Sequence, residues 1–337
     1  MTPTKKEVLL VTGANGLVGS NLCLAAAQAG YDVRALVRPT SECAPLQAAG
    51  ITVVRGDVTL KESVFEAAQG ASLIVHAAAV LGGTWSAPKP EDFWNVNYHG
   101  TVHVMDAARH VGARRMIDLD SLAILDWSQT ITERSAIAPL SSDDSPYVSA
   151  KRAAYYEGMH RASLGQATLG QASLGQDIVF VTPAGIFGPG PFVERALHPT
   201  SFTGTLATAL NGSLAQYLSF PLLWSYVDDV VAVCLAALEH GRRGARYLAC
   251  GRAENACSLA ALCNRAAEIA GVAHRVLDVG LDTAAVNVGT MSKLAKRRYA
   301  DPMLDSSVTA TELGVHPRTL DEGLRTTVAW LRHNGRI

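Results

Sequence analysis

Apolar positions along the chain come in two textures. Through the first half, short unbroken apolar runs alternate with longer stretches in which apolar residues recur every three or four positions. The runs inside "EVLLVTG", "YDVRALVR", "ITVVRGD", "ASLIVHAAA", "RRMIDLDS" and "DIVFVTP" read as strands. They are nearly continuous rather than alternating, as suits strands covered on both faces. Between them, Leu17 to Ala29 reads as a helix stopped by Gly30, residues 91–111 as a long helix, and the stretch opening with "YVSAK" (147–151) as another. Strand and helix in alternation predict βαβ units, hence an α/β fold with a doubly wound parallel sheet over residues 1–182.

After Pro183 the pattern loosens. "PAGIFGPGP" and "HPTSFTG" are Gly/Pro-rich loops. "DDVVAVCLAALEHG" predicts a helix with an aspartate N-cap and a glycine stop, and further helices are expected near 259–270 and 320–333. Residues 183–337 thus predict a smaller lobe, with elements of 222–250 returning to the sheet. A tandem repeat, "ASLGQ", "ATLGQ", "ASLGQ" over 162–176, falls between the "YVSAK" helix and the next strand. Its period is too short for a solenoid, and a glycine every fifth residue disfavours a helix, so it reads as a duplicated surface connector.

Composition narrows the function classes. A chain of 337 residues, 48% hydrophobic and with net charge −1, can bury a large core and offers no basic field for nucleic acid. The basic run Lys293 to Arg298 reads as a solvated helix face. Cys23, Cys43, Cys234, Cys250, Cys257 and Cys263 form no CxxC pair, which suits free thiols in a reducing cytoplasm. His99 and His103 are spaced i,i+4 without accompanying acids or cysteines, so no metal is expected. Lys5 and Lys6 before "VLLV" imitate a signal peptide, but the apolar run is too short, and nothing approaches a membrane span of ~18 residues.

Chemistry enters with "VTGANGLVGS". Gly13, Gly16 and Gly19 follow the first strand and open the first helix. Gly13 permits a tight turn, Gly16 lets backbone approach a pyrophosphate, and Gly19 allows close helix–strand packing. The helix start at Leu17 and Val18 offers N–H groups to phosphate. The second strand ends in "RALVRPTS", which supplies Arg38 and no acid. This favours NADP(H), whose 2′-phosphate an arginine accommodates, with NAD(H) possible. Asn15 adds a donor. Asp57, beside Val58 in "RGDV", is placed to accept from an adenine amino group. In "YVSAK", Tyr147 and Lys151 share a helix face, and a nearby ammonium favours the phenolate. The pair suits a proton donor and acceptor; on its own it reads as an ordinary i,i+4 contact on a solvated face.

Taken together, "TGANGLVG", "GDV", "HAAA", "NVNYHGT", "LDSLA", "YVSAK", "GIFGPG" and "YVDDV" resemble, in order and spacing, the extended short-chain dehydrogenase/reductases of the NAD-dependent epimerase/dehydratase family. "VRALVRPTS", "HPTSFTG" and the C-terminal "ELGVHPRTLDEGLRTTVAWLRHNG" look most like the dihydroflavonol-reductase-like branch. The resemblance implies a Rossmann sheet with a C-terminal substrate-binding lobe. It also implies a Ser121–Tyr147–Lys151 triad that protonates a carbonyl oxygen as hydride arrives. By the same resemblance Asn97 lies near the nicotinamide ribose, Ala77, Ala78 and Ala79 let the chain pass close to the cofactor, and Pro183 and Ile186 form a wall beside the nicotinamide. His76 is expected to pack rather than react, and Asp228 and Asp229 to cap a helix. A small carbonyl or alcohol substrate, cytoplasmic location and a homodimer through helices near 93–111 and 145–163 complete the expectation. The alternative is a nucleotide-sugar epimerase or dehydratase with tightly held NAD(P). Two departures weigh against it: Thr182 and Gly185 stand where sugar-nucleotide members often carry arginine and asparagine, and Leu122 stands where dehydratases carry an acid. The aromatic segment from Ile186 to Trp224 suggests a hydrophobic pocket.

Overall fold

The computed structural model describes residues 6–81, 88–142, 144–164, 175–280 and 303–337. Repeat residues 165–174 and the basic run 293–298 lie outside the described residues.

Strands come first. They are β1 (Val8–Thr12), β2 (Asp32–Val37), β3 (Thr52–Arg55), β4 (Leu73–His76), β5 (Arg115–Leu119), β6 (Ile131–Thr132), β7 (Ile178–Pro183), β8 (Gly185–Phe187), β9 (Gln216–Leu218), β10 (Trp224–Tyr226), β11 (Arg246–Ala249), β12 (Leu277–Val279) and β13 (Leu304–Asp305). Seven of them form one sheet in the order β11-β7-β5-β4-β1-β2-β3, every neighbouring pair parallel. The helices on its faces are α1 (Leu17–Gln28), α2 (Ala44–Ala48), α3 (Lys61–Ala68), α4 (Pro90–Phe93), α5 (Thr101–His110) and α6 (Pro146–Ser163). The chain continues through α7 (Val193–Ala196), α8 (Phe202–Leu210), α9 (Val227–His240) and α10 (Leu259–Ala270), then Ser307–Leu313 and Leu320–His333. This is the doubly wound α/β architecture.

Alternate residues of each strand feed opposite cores. On one face Leu9, Val11, Val75, Ile117 and Val181 pack with Leu22, Cys23 and Ala26 of α1 and Val230, Cys234 and Ala237 of α9. On the other, Leu10, Ile74, Met116 and Phe180 meet Val64 of α3, Val104 and Met105 of α5 and Ala162 of α6. A separate core joins Leu206, Trp224, Leu262, Leu324 and Val328. Phe187 and Phe220 belong to this core, with Phe202 packed against it edge-to-face on Trp224 at 5.0 Å; Phe192 lies in the α1–α9 core. These aromatics of the segment are therefore spent on packing.

Two local departures matter for the site. The predicted helix over 91–111 is not uniform, because between α4 and α5 residues Trp94–Gly100 wind as a π-helix. Helix α9 begins one residue before the aspartates. Tyr226 is its N-cap and offers no side-chain bond, while Asp228 and Asp229 lie inside the first turn, where their charge favours the helix's positive end. Asp229 also accepts the Arg318 backbone N–H at 2.9 Å. Among the described residues no helix is long and apolar enough to cross a membrane.

Candidate active site

The residues singled out in sequence gather where strands end at their carboxyl edge, on either side of the β1–β4 boundary. There the winding direction changes and a doubly wound sheet opens a crevice. The first turn is built for close approach. Gly13 has φ +65°, and a Cβ there would lie 2.6 Å from backbone atoms of Ala78. A Cβ at Gly19 would lie 2.3 Å from the Gly13 carbonyl oxygen. Gly16, the α1 N-cap, donates its N–H to that same oxygen at 2.9 Å. A Cβ on Gly16 would meet only this oxygen, at 3.2 Å, so its outer side is clear. Asn15 is buried, while Leu17 and Val18 are half-buried at the helix start. A glycine cradle under a helix N-terminus fits a dinucleotide pyrophosphate.

At the end of β2, Arg38 is exposed. Arg55 braces the loop that carries it, donating to the carbonyls of Arg38 at 3.2 Å and Ser41 at 2.6 Å. Arg195 of α7 was not singled out in sequence. Burial first, and then the charge of Arg38, holds its pKa below the ordinary arginine range. The adjacent Glu194 is engaged by Arg336 instead. Asp57 folds its Oδ1 back onto the Thr59 N–H and hydroxyl, each at 2.9 Å. Val58 is buried against Gly100, and its carbonyl meets His103 Nδ1 at 2.9 Å.

The segment after β4 is held by a directed hydrogen-bond chain. Thr101 Oγ1 donates to the Asn97 carbonyl at 3.0 Å, so it must accept from His76 Nε2 at 3.0 Å. His76 Nδ1 then accepts from Thr12 Oγ1 at 2.7 Å, and Thr12 Oγ1 accepts from the Ala78 N–H at 3.4 Å. Burial pushes the His76 pKa down to about 3, with the Lys151 charge adding to the effect, so the imidazole is neutral. Asn97, fully buried, accepts from the Val80 N–H at 2.8 Å and donates to the Val80 carbonyl at 3.0 Å. These two bonds fix the segment that carries Ala77, Ala78 and Ala79. The π-turn that carries Asn97 has no signature in the apolar spacing.

Helix α6 presents the Tyr147–Lys151 pair. Ser145 caps it by accepting the Val148 N–H at 3.3 Å, and Pro146 occupies its first turn. Asp144 reaches Arg152 two turns along, at 2.7 Å in a buried ion pair. Lys151, 4% exposed, donates from Nζ to the Leu119 carbonyl at 2.6 Å. That bond ties the Tyr147–Lys151 face to the end of β5, two residues before Ser121. Tyr147 is half-buried, edge-on to Phe93 with ring centroids 6.5 Å apart. Ser121 Oγ accepts the Ala123 N–H at 3.2 Å and caps a 3-10 turn, which leaves its own proton free to be donated. Pro183 ends β7, and Ile186 lies on β8.

Beneath Lys151 runs a row that the sequence analysis passed over. Thr12, His76, Asp118, Phe180 and Arg246 are register partners across five strands and so point to one face. Asp118 of this row, and Asp120 two residues further along the chain, feel the Lys151 charge.

Residues 9–250 match the model of the NAD-dependent epimerase/dehydratase family. A sterol demethylase protein B of Methylococcus capsulatus is 25% identical, the alignment covering 97% of this chain and 99% of the relative. A 3-beta-hydroxysteroid dehydrogenase of Mycolicibacterium neoaurum is 28% identical over 69% of this chain and 61% of its own. The crystal structure of gox2253 superposes with a TM-score of 0.79 at 25% identity, covering 98% of this chain and 100% of that one.

Proposed function

The chain belongs to the NAD-dependent epimerase/dehydratase family, and from that premise we propose that it is an NADP(H)-dependent oxidoreductase interconverting a ketone or aldehyde with its alcohol. The observation that carries this is the 2.6 Å tether from Lys151 to the Leu119 carbonyl. It sets the Tyr147–Lys151 face beside Ser121 at the crevice where the glycine cradle opens. When bound, the nicotinamide dinucleotide supplies or accepts the hydride. Gly13, Gly16 and Gly19 with the α1 N-terminus hold its pyrophosphate. Arg38, exposed at the end of β2, favours the extra phosphate of NADP(H). Tyr147 gives its phenolic proton to the carbonyl oxygen and takes one back in the reverse direction. Ser121 donates a hydrogen bond to that oxygen and steadies the charge it gains. Lys151 supports the phenolate by its positive charge.

Both curated relatives described above carry sterol or hydroxysteroid names, so the proposed substrate class is an apolar, steroid-like hydroxyl or keto compound. The nucleotide-sugar alternative finds less support. Thr182, where such enzymes often have arginine, is fully buried and donates to Asp120 at 3.2 Å. The test is a panel of steroid, aromatic and aliphatic carbonyls, followed by loss of NADPH or NADH absorbance in parallel, for the parent and Tyr147→Phe. The parent should reduce a carbonyl with NADPH preferred. The variant should bind NADPH yet lose about 10²-fold or more of the turnover. Equal turnover in the variant would remove Tyr147 from the chemistry. Conversion of a nucleotide sugar without added cofactor would favour the alternative.

A further inference from the structure

Two carboxyl groups flank Leu119, whose carbonyl takes the Lys151 Nζ at 2.6 Å, and the chemistry proposed above uses neither. Asp118 is 2% exposed and Asp120 5%. Met116, two residues before Asp118 on the same face, is apolar and packs in the core, as a strand interior ordinarily does. Burying a carboxyl at this depth is costly unless its charge is matched or neutralised. Asp120 Oδ2 accepts from Thr182 Oγ1 at 3.2 Å and stands 3.9 Å from Arg246 Nε. Oδ1 of each aspartate, and Nε of Arg246, have no hydrogen-bond partner among the described residues.

The groups facing the pair come from every element around it. Strand β4 brings His76, which is neutral. Helix α6 brings Lys151 and Tyr155, whose pKa burial raises. Strand β11 brings Arg246, whose guanidinium carbon lies 4.6 Å from the Tyr155 ring centroid. Beyond it are Cys250, whose thiol burial pushes up, and Glu133, which accepts from the Thr309 N–H at 2.8 Å. Burial pushes Asp118 up against the pull of Lys151. Burial likewise pushes Asp120 up to about 7; Arg246 and Lys151 pull it down and Asp118 pushes it further up. Asp120 therefore changes charge near neutral pH.

We propose that Asp118 and Asp120 are positioning residues for Lys151: Asp120, held by Thr182 and Arg246, sets how much of the ammonium's charge reaches Tyr147. Ionised, Asp120 stabilises the ammonium and offsets its field at the phenol. Protonated, it leaves that field whole. Asparagine at 120 imitates the second state at every pH.

The inference rests on Lys151 and Tyr147 acting as proposed above, and the experiment separates the two. Full-length parent and Asp120→Asn are compared by NMR titration of the Lys151 Nζ and by the pH profile of alcohol oxidation with NADP⁺. In the variant, the Nζ titration and the acid limb of turnover both move to lower pH, by about one unit. Curves that superimpose on the parent's overturn the inference. A parent that turns over no alcohol or carbonyl counts against the proposed function, while its Nζ titration still decides the charge coupling. Should Asp120→Asn not fold, the parent's Nζ signal carries the test: it shows a second inflection where the Asp120 carboxyl titrates, and a single inflection overturns the inference.

Discussion

His76 is one joint in a chain that runs from the Ala78 N–H through Thr12, His76 and Thr101 to the Asn97 carbonyl. Its proton count is fixed by that chain, which has a consequence for stability. The folded pKa of about 3 lies below the unfolded value near 6.5. The unfolded chain therefore takes up a proton that the folded one refuses, and stability falls as pH drops from about 6.5 towards 3, by about 1.4 kcal/mol per pH unit. Between parent and His76→Gln, the stability gap measured by urea unfolding should shrink at that rate from pH 6.5 to 4.5. A constant gap would mean that the imidazole charges in place. Asp120 has the opposite sign: its raised folded pKa makes the native state hold the proton, and stability is lost as pH rises from about 4 to 7. The difference between parent and variant isolates His76 from this opposing slope. At the end of β2, Arg38→Asp places an anion where the 2′-phosphate of NADP(H) would lie. The ratio of kcat/KM for NADPH over NADH should fall at least tenfold, about 1.4 kcal/mol, and an unchanged ratio would place the phosphate contact elsewhere.

At the scale of elements, the position of α6 decides whether Lys151 reaches Leu119. Gly158 is the point of closest approach. A Cβ there would lie 2.8 Å from Phe180 Cζ and 2.9 Å from Met105 Cε, so the helix rests directly on β7 and α5. Gly158→Val should cost about 1–3 kcal/mol of stability through overpacking. Lifting the helix should also lower turnover, by up to about 10²-fold for a displacement near 1 Å. An unchanged urea midpoint would show that the helix has room. The elements themselves were legible because their signals are local: apolar runs for strands, glycine and proline for their ends, and a glycine turn between β1 and α1. The π-segment was not legible, since one extra residue per turn barely disturbs apolar spacing. The α9 cap was misplaced because aspartate favours both the cap and the first turn. In "RRMIDLDS" alternation shows that Asp118 and Asp120 face the same way, but not what they face. Arg246 arrives from a distant part of the chain, and only the register of β7 with β11 brings it there.

Across the whole molecule, two kinds of packing meet. The sheet is sandwiched between two helical layers, and a second core gathers Phe187, Phe220 and Trp224 with α8, α10 and the last helix. The strand that completes the sheet lies beyond that second core's first elements. β11 pairs with β7 along its length, from Arg246 opposite Phe180 to Ala249 opposite Pro183. On the ribosome this order leaves β7 waiting. At ordinary elongation speed, the roughly sixty residues between Pro183 and Arg246 take about three to twelve seconds to emerge. For that interval the nascent sheet carries a bare apolar edge, the kind that recruits strands from other chains. The late strand that delivers an arginine to the row beneath Lys151 also makes the growing polypeptide vulnerable to aggregation until it arrives.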